Sequence, residues 1–449
     1  MCNIHLFKTS PVYDGQHLIM TIFLSQVMIL INFIDLFCLR VSLTANKKIV
    51  NIEKNLNQEV QPMNADVMIS NDVKYIGVND RDVDLFEGQY IVPNGMAYNS
   101  YVILDDKIAV MDTVDVRKKD EYLDNLEKAL SGRTPDYLVV SHVEPDHASS
   151  VGAFLDKYPS TQLVGNAKTF QMLAQYFDFN SDAVLTVKEG DTLSLGKHEL
   201  HFTMTPMVHW PEVMFTYDSY DKILFSADAF GKFGALDADE DWTCEARRYY
   251  FNIVGKFGMP VQTVLKKAAT QDIQIICPLH GPILKENLDF YLNKYQIWSS
   301  YQPESEGIFI AYASLHGNTA GAAKKLAEIL TAKGCPKVVI TDLARDDMAE
   351  ALEDAFRYGT IVLAASSYNG GVMPFMEDFL HHLKAKSYQN RTAALIENGS
   401  WAPSANRTMT DILSQLKDIT ILEKSVTIRG AVKDADIQAL EDLADSLLK

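Results

Sequence analysis

The chain has 449 residues. A single hydrophobic core usually stops growing near about 250–300 residues, so two domains are expected. A composition that is 47% hydrophobic and 22% charged excludes a disordered, collagen-like or low-complexity chain. The 41 Lys and Arg against 59 Asp and Glu leave a formal charge of -18, which argues against nucleic acid and anionic membrane surfaces as partners. Five scattered cysteines (Cys2, Cys38, Cys244, Cys277, Cys335) contain no C-x-x-C pair. They read as thiols of a reduced, cytoplasmic protein, with neither a disulfide framework nor a cysteine-built metal site.

Residues 17–38 break this picture, because they are mostly apolar and about long enough to span a bilayer. Gln26, Asn32 and Asp35 interrupt the run, and only Lys8 precedes it as a basic residue. No small-residue cleavage site is evident. The expectation is an N-terminal extension, residues 1–65, foreign to the domain fold; a membrane anchor or an apolar helix packed on the protein are the alternatives. Residues 47–64 read as a polar spacer, and Met63 and Met68 stand just before the regular pattern begins.

From about Val73, β-rich runs follow one another: KYIGV, SYVILDD, KIAVMDT, YLVVSH, TQLVG, ELHFTMTP, VMFTYD, KILFSAD and IQIICPLH. Helical SSVGAFLDKY and AKTFQMLAQYF lie among them, and the mixture predicts an α/β sandwich over residues 66–302. Residues 283–301 read as a connecting helix and 302–306 as a polar hinge. A strict alternation of strands and helices then runs from GIFIAYA through KVVITDL, TIVLAAS and TAALIEN to a strand at about 419–428 and a terminal helix. That pattern predicts a doubly wound, five-stranded parallel sheet over residues 303–449, with ligands at the carboxyl ends of its strands.

The densest chemical signal is SHVEPDH, after the buried-looking strand YLVV. It places His142, Glu144, Asp146 and His147 within six residues, with Pro145 opposing a regular helix. His142 and Glu144 can face one ion while Asp146 and His147 face another. His209, Asp228 and His280 each follow an apolar strand, the edge where a sheet presents functional groups. Taken alone, each has a bland reading as a satisfied histidine, a helix cap or a turn residue; their repetition at strand ends argues for a site. His198, His201, His381 and His382 lack partners at ligand spacing and read as surface or structural residues.

This spacing resembles the metallo-β-lactamase-like superfamily, whose motif is H-x-H-x-D-H followed by distant His, Asp and His, with Glu144 in place of the second histidine. The resemblance implies one site of His142, Glu144, His209 and Asp228, and a second of Asp146, His147, His280 and the shared Asp228. Three carboxylates against two divalent ions leave a net charge of +1, and an oxygen-rich set without thiolates suits iron or manganese.

A second constellation begins with SLHGNT, residues Ser314, Leu315, His316, Gly317, Asn318 and Thr319, at a strand-to-helix turn. Small hydroxyls, a glycine and a helix N-terminus suit a phosphate. The loop matches neither the dinucleotide fingerprint nor the ATP-binding P-loop. Two further loops follow the next strands: Ser366, Ser367, Tyr368, Asn369, Gly370 and Gly371, then Asn398, Gly399, Ser400, Trp401 and Ala402. Tyr368 and Trp401 are placed to flank a planar ring. Together the three loops resemble flavodoxin and imply FMN.

A metallo-β-lactamase-like αββα sandwich joined to a flavodoxin-like sheet resembles the flavodiiron proteins (A-type flavoproteins) of the two-domain class, over about residues 70–449. YIGVND near Tyr75 and EARRYYFNIVGKFG from Glu245 also fit. The resemblance implies two non-haem iron ions and FMN, which reduce dioxygen to water, nitric oxide to nitrous oxide, or both. It implies rubredoxin or a flavin reductase as electron donor, and a head-to-tail homodimer or dimer of dimers. Tyr98 and Trp210 are candidate catalytic residues beside the metals. The competing readings are a di-zinc thioesterase or lactonase with an appended flavodoxin domain, and an electron carrier on an inactive metal scaffold.

Overall fold

The computed structural model describes residues 68–180 and 183–449. Residues 1–65, with the apolar stretch at 17–38, lie outside the described residues. Among the described residues no helix is long and apolar enough to cross a membrane.

Two sheets form the first half. One has six strands in the order Val73–Tyr75, Tyr101–Leu104, Ile108–Met111, Tyr137–Val139, Gln162–Gly165 and Val184–Thr186. The other has five: Thr192–Ser194, Glu199–Met204, Met214–Asp218, Ile223–Phe225 and Ile275–Cys277. Alternate residues of each strand meet between them. Val73, Tyr75, Tyr101, Ile103 and Met111 of the first sheet pack with Leu200, Phe202, Met214, Phe225 and Cys277 of the second in one buried cluster. Period-two alternation directs these side chains inward, and helices cover the outer faces.

The second half is a parallel sheet ordered Val338–Asp342, Ser305–Ala313, Tyr358–Tyr368, Arg391–Asn398 and Ile419–Ile421. Numbered by chain position this is 2-1-3-4-5, the doubly wound order with its switch beside the first strand. The strand expected at 419–428 is two short ones, Ile419–Ile421 and Val426–Ile428, both paired with Arg391–Asn398. Helices Asn318–Ala332 and Asp434–Leu447 bury Leu326, Leu330, Leu440 and Leu443 against one face of the sheet.

Two local readings change. Residues 302–306 are not a free hinge: the buried Glu304 carboxylate accepts from Arg247 (3.0 Å), Lys294 (2.7 Å) and the Trp298 indole (2.6 Å). Pro145 does not exclude a helix, because it occupies the first position of the short helix Pro145–Ala148, where no amide hydrogen is required.

Candidate functional site

All seven proposed metal ligands converge at the ends of the sandwich strands, in two groups. Donor atoms of His142, Glu144, His209 and Asp228 lie together, as do those of Asp146, His147 and His280. In the first group Glu144 Oε2 lies 3.2 Å from His142 Nε2 and 3.0 Å from His209 Nε2. Asp228 Oδ2 lies 2.9 Å from His209 Nε2 and 3.4 Å from His142 Nε2. In the second, Asp146 Oδ2 lies 3.2 Å from His147 Nε2 and 3.1 Å from His280 Nε2. The other oxygen of Asp228, Oδ1, lies 3.1 Å from His147 Nε2 and 3.8 Å from His280 Nε2. One carboxylate thus faces both groups, an oxygen to each.

These separations fit metal coordination. Donors held at about 2.1 Å from one ion stand roughly 3.0–3.4 Å apart. The tautomers agree. His142 Nδ1 donates to the Glu212 carboxylate at 2.7 Å, and His280 Nδ1 donates to the Ala97 carbonyl at 2.7 Å. Both acceptors force the proton onto Nδ1, leaving each Nε2 lone pair directed inward. Both oxygens of Asp146 and Oδ1 of Asp228 are buried without a hydrogen bond. Such groups cost about 1–3 kcal/mol each when left unsatisfied, so the set suits cations.

The electrostatics of the bare ligands show how strongly they are coupled. Burial lowers the affinity of His142 for a proton, yet Asp228, Glu144 and Glu212 outweigh it and hold the imidazole well above its usual range. His209 likewise loses to burial but gains more from Asp228 and Glu144, and is pushed up to about 9. Burial opposes ionisation of Asp228, but His142, His147 and His209 keep it well below the usual carboxylate range. A pair of divalent ions would take the place of those protons.

Glu212 is a site residue that ligand spacing does not reveal. It is fully buried and also accepts from the Val143 amide at 2.9 Å, so one carboxylate holds both the ring and the backbone of the motif loop. In the sequence it is only an acid after a proline, indistinguishable from a turn residue. Of the two candidate catalytic residues, Trp210 sets its ring edge-on to His142, with centroids 5.2 Å apart. Tyr98 is fully buried, 6.0 Å from the His280 ring, and its hydroxyl accepts from Arg117 at 2.9 Å. His198 is buried and bonds Asp218, apart from the seven ligands of this centre.

The three flavin loops border one cavity of about 350 Å³ at the carboxyl edge of the parallel sheet. Leu315, His316, Asn318 and Thr319 line it from the first loop, residues 366–370 with Ser404 from the second side, and residues 398–402 with Gly430 from the third. Ser314, Gly317 and Gly371 support the rim without lining it. Gly317 takes a left-handed backbone (φ 88°) ahead of helix Asn318–Ala332, and its amide donates to Ser314 Oγ at 3.1 Å. Ser366 Oγ accepts from the Leu315 amide (3.2 Å) and bonds Thr319 Oγ1 (2.8 Å), tying the first loop to the second. Tyr368 is half-exposed and Trp401 is 89% exposed, so two of the residues lining the cavity are aromatic rings that the protein leaves open. Ser404 and Gly430 were not legible as lining residues. They reach the cavity because Ser404 bonds Ser367 and Gly371, and Gly430 pairs with the Asn398 amide.

Comparison with known proteins agrees with this geometry. Residues 96–281 match the ODP family beta lactamase model and residues 309–435 a flavodoxin domain. The nitric oxide reductase of Moorella thermoacetica is 27% identical over 391 residues, covering 85% of this chain and 98% of that protein. Rubredoxin oxygen:oxidoreductase from Desulfovibrio gigas superposes with a TM-score of 0.78 at 25% identity, over 84% of this chain and 96% of its own. The flavodiiron protein from Giardia intestinalis gives 0.79 at 25% identity, over 85% and 96%. Both domains are matched in this order and the fold is shared over nearly the whole of these relatives, which supports a flavodiiron protein.

Proposed function

We propose that this chain reduces dioxygen to water, nitric oxide to nitrous oxide, or both, with His142, Glu144, Asp146, His147, His209, Asp228 and His280 holding two irons and the three flavin loops holding FMN. The observation that carries the reading is the donor set itself: seven imidazoles and carboxylates, no thiolate, and Asp228 facing both halves. When bound, the iron pair and FMN supply the electrons, four for each dioxygen or two for each pair of nitric oxide molecules.

The protein's part is positioning. Glu212 and the Ala97 carbonyl lock the imidazoles of His142 and His280 with Nε2 inward. The half-buried Trp210 and the fully buried Tyr98 close two sides of the centre, which limits how far bulk water competes with a small diatomic substrate. In the second domain, the Gly317 turn and the helix N-terminus would hold the FMN phosphate, and Tyr368 and Trp401 would flank the ring.

We assign residues 66–302 to the metal domain and 303–449 to the FMN domain. Rubredoxin or a flavin reductase is the assigned electron donor. A head-to-tail homodimer, or a dimer of dimers, is the assigned assembly, since the two cofactor sites stand at the edges of different sheets. Full turnover by a strictly monomeric protein at high dilution would count against the dimer.

The test is elemental analysis of anaerobically purified protein, followed by dioxygen and nitric oxide consumption under a reduced donor. About two irons per chain, with consumption abolished in Asp228→Asn while FMN is retained, is the expected result. Two zincs per chain with hydrolysis of thioesters or lactones would overturn the reading.

A further inference from the structure

A second group of potential ligands lies elsewhere in the sandwich. Asp72 immediately precedes the edge strand Val73–Tyr75 of the six-stranded sheet. His198 immediately precedes Glu199–Met204, and Asp221 sits in the turn between Met214–Asp218 and Ile223–Phe225 of the other sheet. Asp228 follows the far end of Ile223–Phe225, so this group and the di-iron ligands stand at opposite ends of the same short strand.

We propose that His198, Asp72 and Asp221 form a third metal site, which binds one divalent first-row cation, zinc fitting best, and ties the edge of the first sheet to two turns of the second. The His198 side chain is fully buried, and its Nδ1 lies 2.9 Å from Oδ2 of the equally buried Asp218. Asp218 also accepts from the amides of Tyr220 (3.2 Å) and Asp221 (3.3 Å), so it meets His198 as an acceptor. One proton of His198 therefore sits on Nδ1; burial lowers the ring's affinity for a second, but Asp218, Asp221 and Asp72 outweigh it, so a cation takes the place of a proton at Nε2. That nitrogen is buried and makes no hydrogen bond. Oδ2 of Asp221 is likewise buried without one. One donor atom each from Asp72, His198 and Asp221 lies within 4.8 Å of the others.

The geometry and charge both suit a cation. His198 Nε2 stands 3.5 Å from Asp72 Oδ2. Two donors on a tetrahedral zinc with bonds of about 2.1 Å stand roughly 3.4 Å apart. A carboxylate that holds the remote ring nitrogen is the arrangement that orients metal-binding histidines. Two carboxylates neutralise one divalent ion, and one imidazole with two oxygens leaves a fourth position for water. The Lys197 ammonium pairs with the same Asp72 oxygen, but its side chain is 43% exposed and free to swing away when a divalent ion arrives.

The test uses the iron-loaded full chain, equilibrated with zinc chloride and desalted, with iron and zinc counted in the same sample. The expected result is about one zinc per chain with iron undiminished. His198→Ala and Asp221→Asn should each lose that zinc and keep their iron, and Asp218→Asn should weaken zinc binding about 10–100-fold. Asp221→Asn preserves shape at a turn and serves if His198→Ala does not fold. Wild-type protein should also gain roughly 2–4 °C in Tm with zinc, a gain absent from both variants. No retained zinc, zinc retained in both variants, or zinc taken up with equal loss of iron each overturns the proposal. Because the site is read from the zinc difference between wild type and variants, its outcome is separate from that of the iron count.

Discussion

Glu212 shows how one buried side chain acts through another. Its carboxylate holds His142 Nδ1 at 2.7 Å and the Val143 amide at 2.9 Å, so it sets the tautomer, the ring angle and the loop together. Glu212→Gln keeps the volume but removes the charge. Iron affinity is expected to fall about 10–100-fold in chelator competition, with FMN content unchanged. His209 carries a second residue-scale consequence. With its proton affinity raised to about 9 in the metal-free protein, it must release a proton to bind iron, so apparent affinity rises as pH climbs toward 9. In the metal-free chain the sign is opposite for stability: the contribution of protonated His209 is full below about 6.5 and is lost as pH rises through about 9. Iron titrations at pH 6.5 and 8.5, in buffers of different ionisation enthalpy, measure the proton release. Equal affinity at both values would exclude this account.

At the scale of elements, both sites are built from strand ends and the loops that leave them. SHVEPDH works because a strand stops at Val139 and a short helix starts on Pro145, which turns His142 and Glu144 to one group and Asp146 and His147 to the other. In the flavin domain, loops from separate strands approach closely at Gly399. A Cβ there would meet Pro403 Cα at 2.9 Å and Ser367 Oγ at 3.0 Å. Gly399→Ala therefore pushes the two ring-binding loops apart. FMN affinity is expected to drop about tenfold, roughly 1.4 kcal/mol, while metal content stays unchanged. Fluorescence titration of the FMN-free protein measures it, and an unaltered affinity would show that the loops relax without cost.

Across the whole described molecule, a charged seam joins the two halves. Arg247 pairs with Glu353 at 2.6 Å and Glu304 at 3.0 Å, and all three side chains are almost fully buried. Arg248 pairs with Asp347 at 2.8 Å, and Phe251 stacks on Phe356 with centroids 4.2 Å apart. Arg247→Ala leaves Glu353 buried without its cation and Glu304 with Lys294 alone, which costs about 3–5 kcal/mol. Arg247→Met with Glu353→Gln together should cost much less, because the charge imbalance is smaller. Urea denaturation followed by tryptophan fluorescence compares the two. If the double variant is as destabilised as Arg247→Ala, packing rather than charge holds the seam.

Much of this protein is legible without coordinates, for a physical reason. Strand and helix periods, glycine turns and ligand-type residues are local properties, so the order of elements, the loops around Gly317, Gly370 and Gly399, and the seven donors could be read directly. The family resemblance supplied the grouping of those donors, which spacing alone left open. What tertiary structure decided is long-range. The partner of His142 lies 70 residues away at Glu212, Ser404 and Gly430 reach the flavin cavity only through bonds to other loops, and Glu304 became an anchor rather than a hinge because Arg247 lies beside it. The pairing of His198 with Asp218 and Asp72 belongs with these. A side chain's chemistry is written in its own position, whereas its partners are chosen by packing across the two sheets.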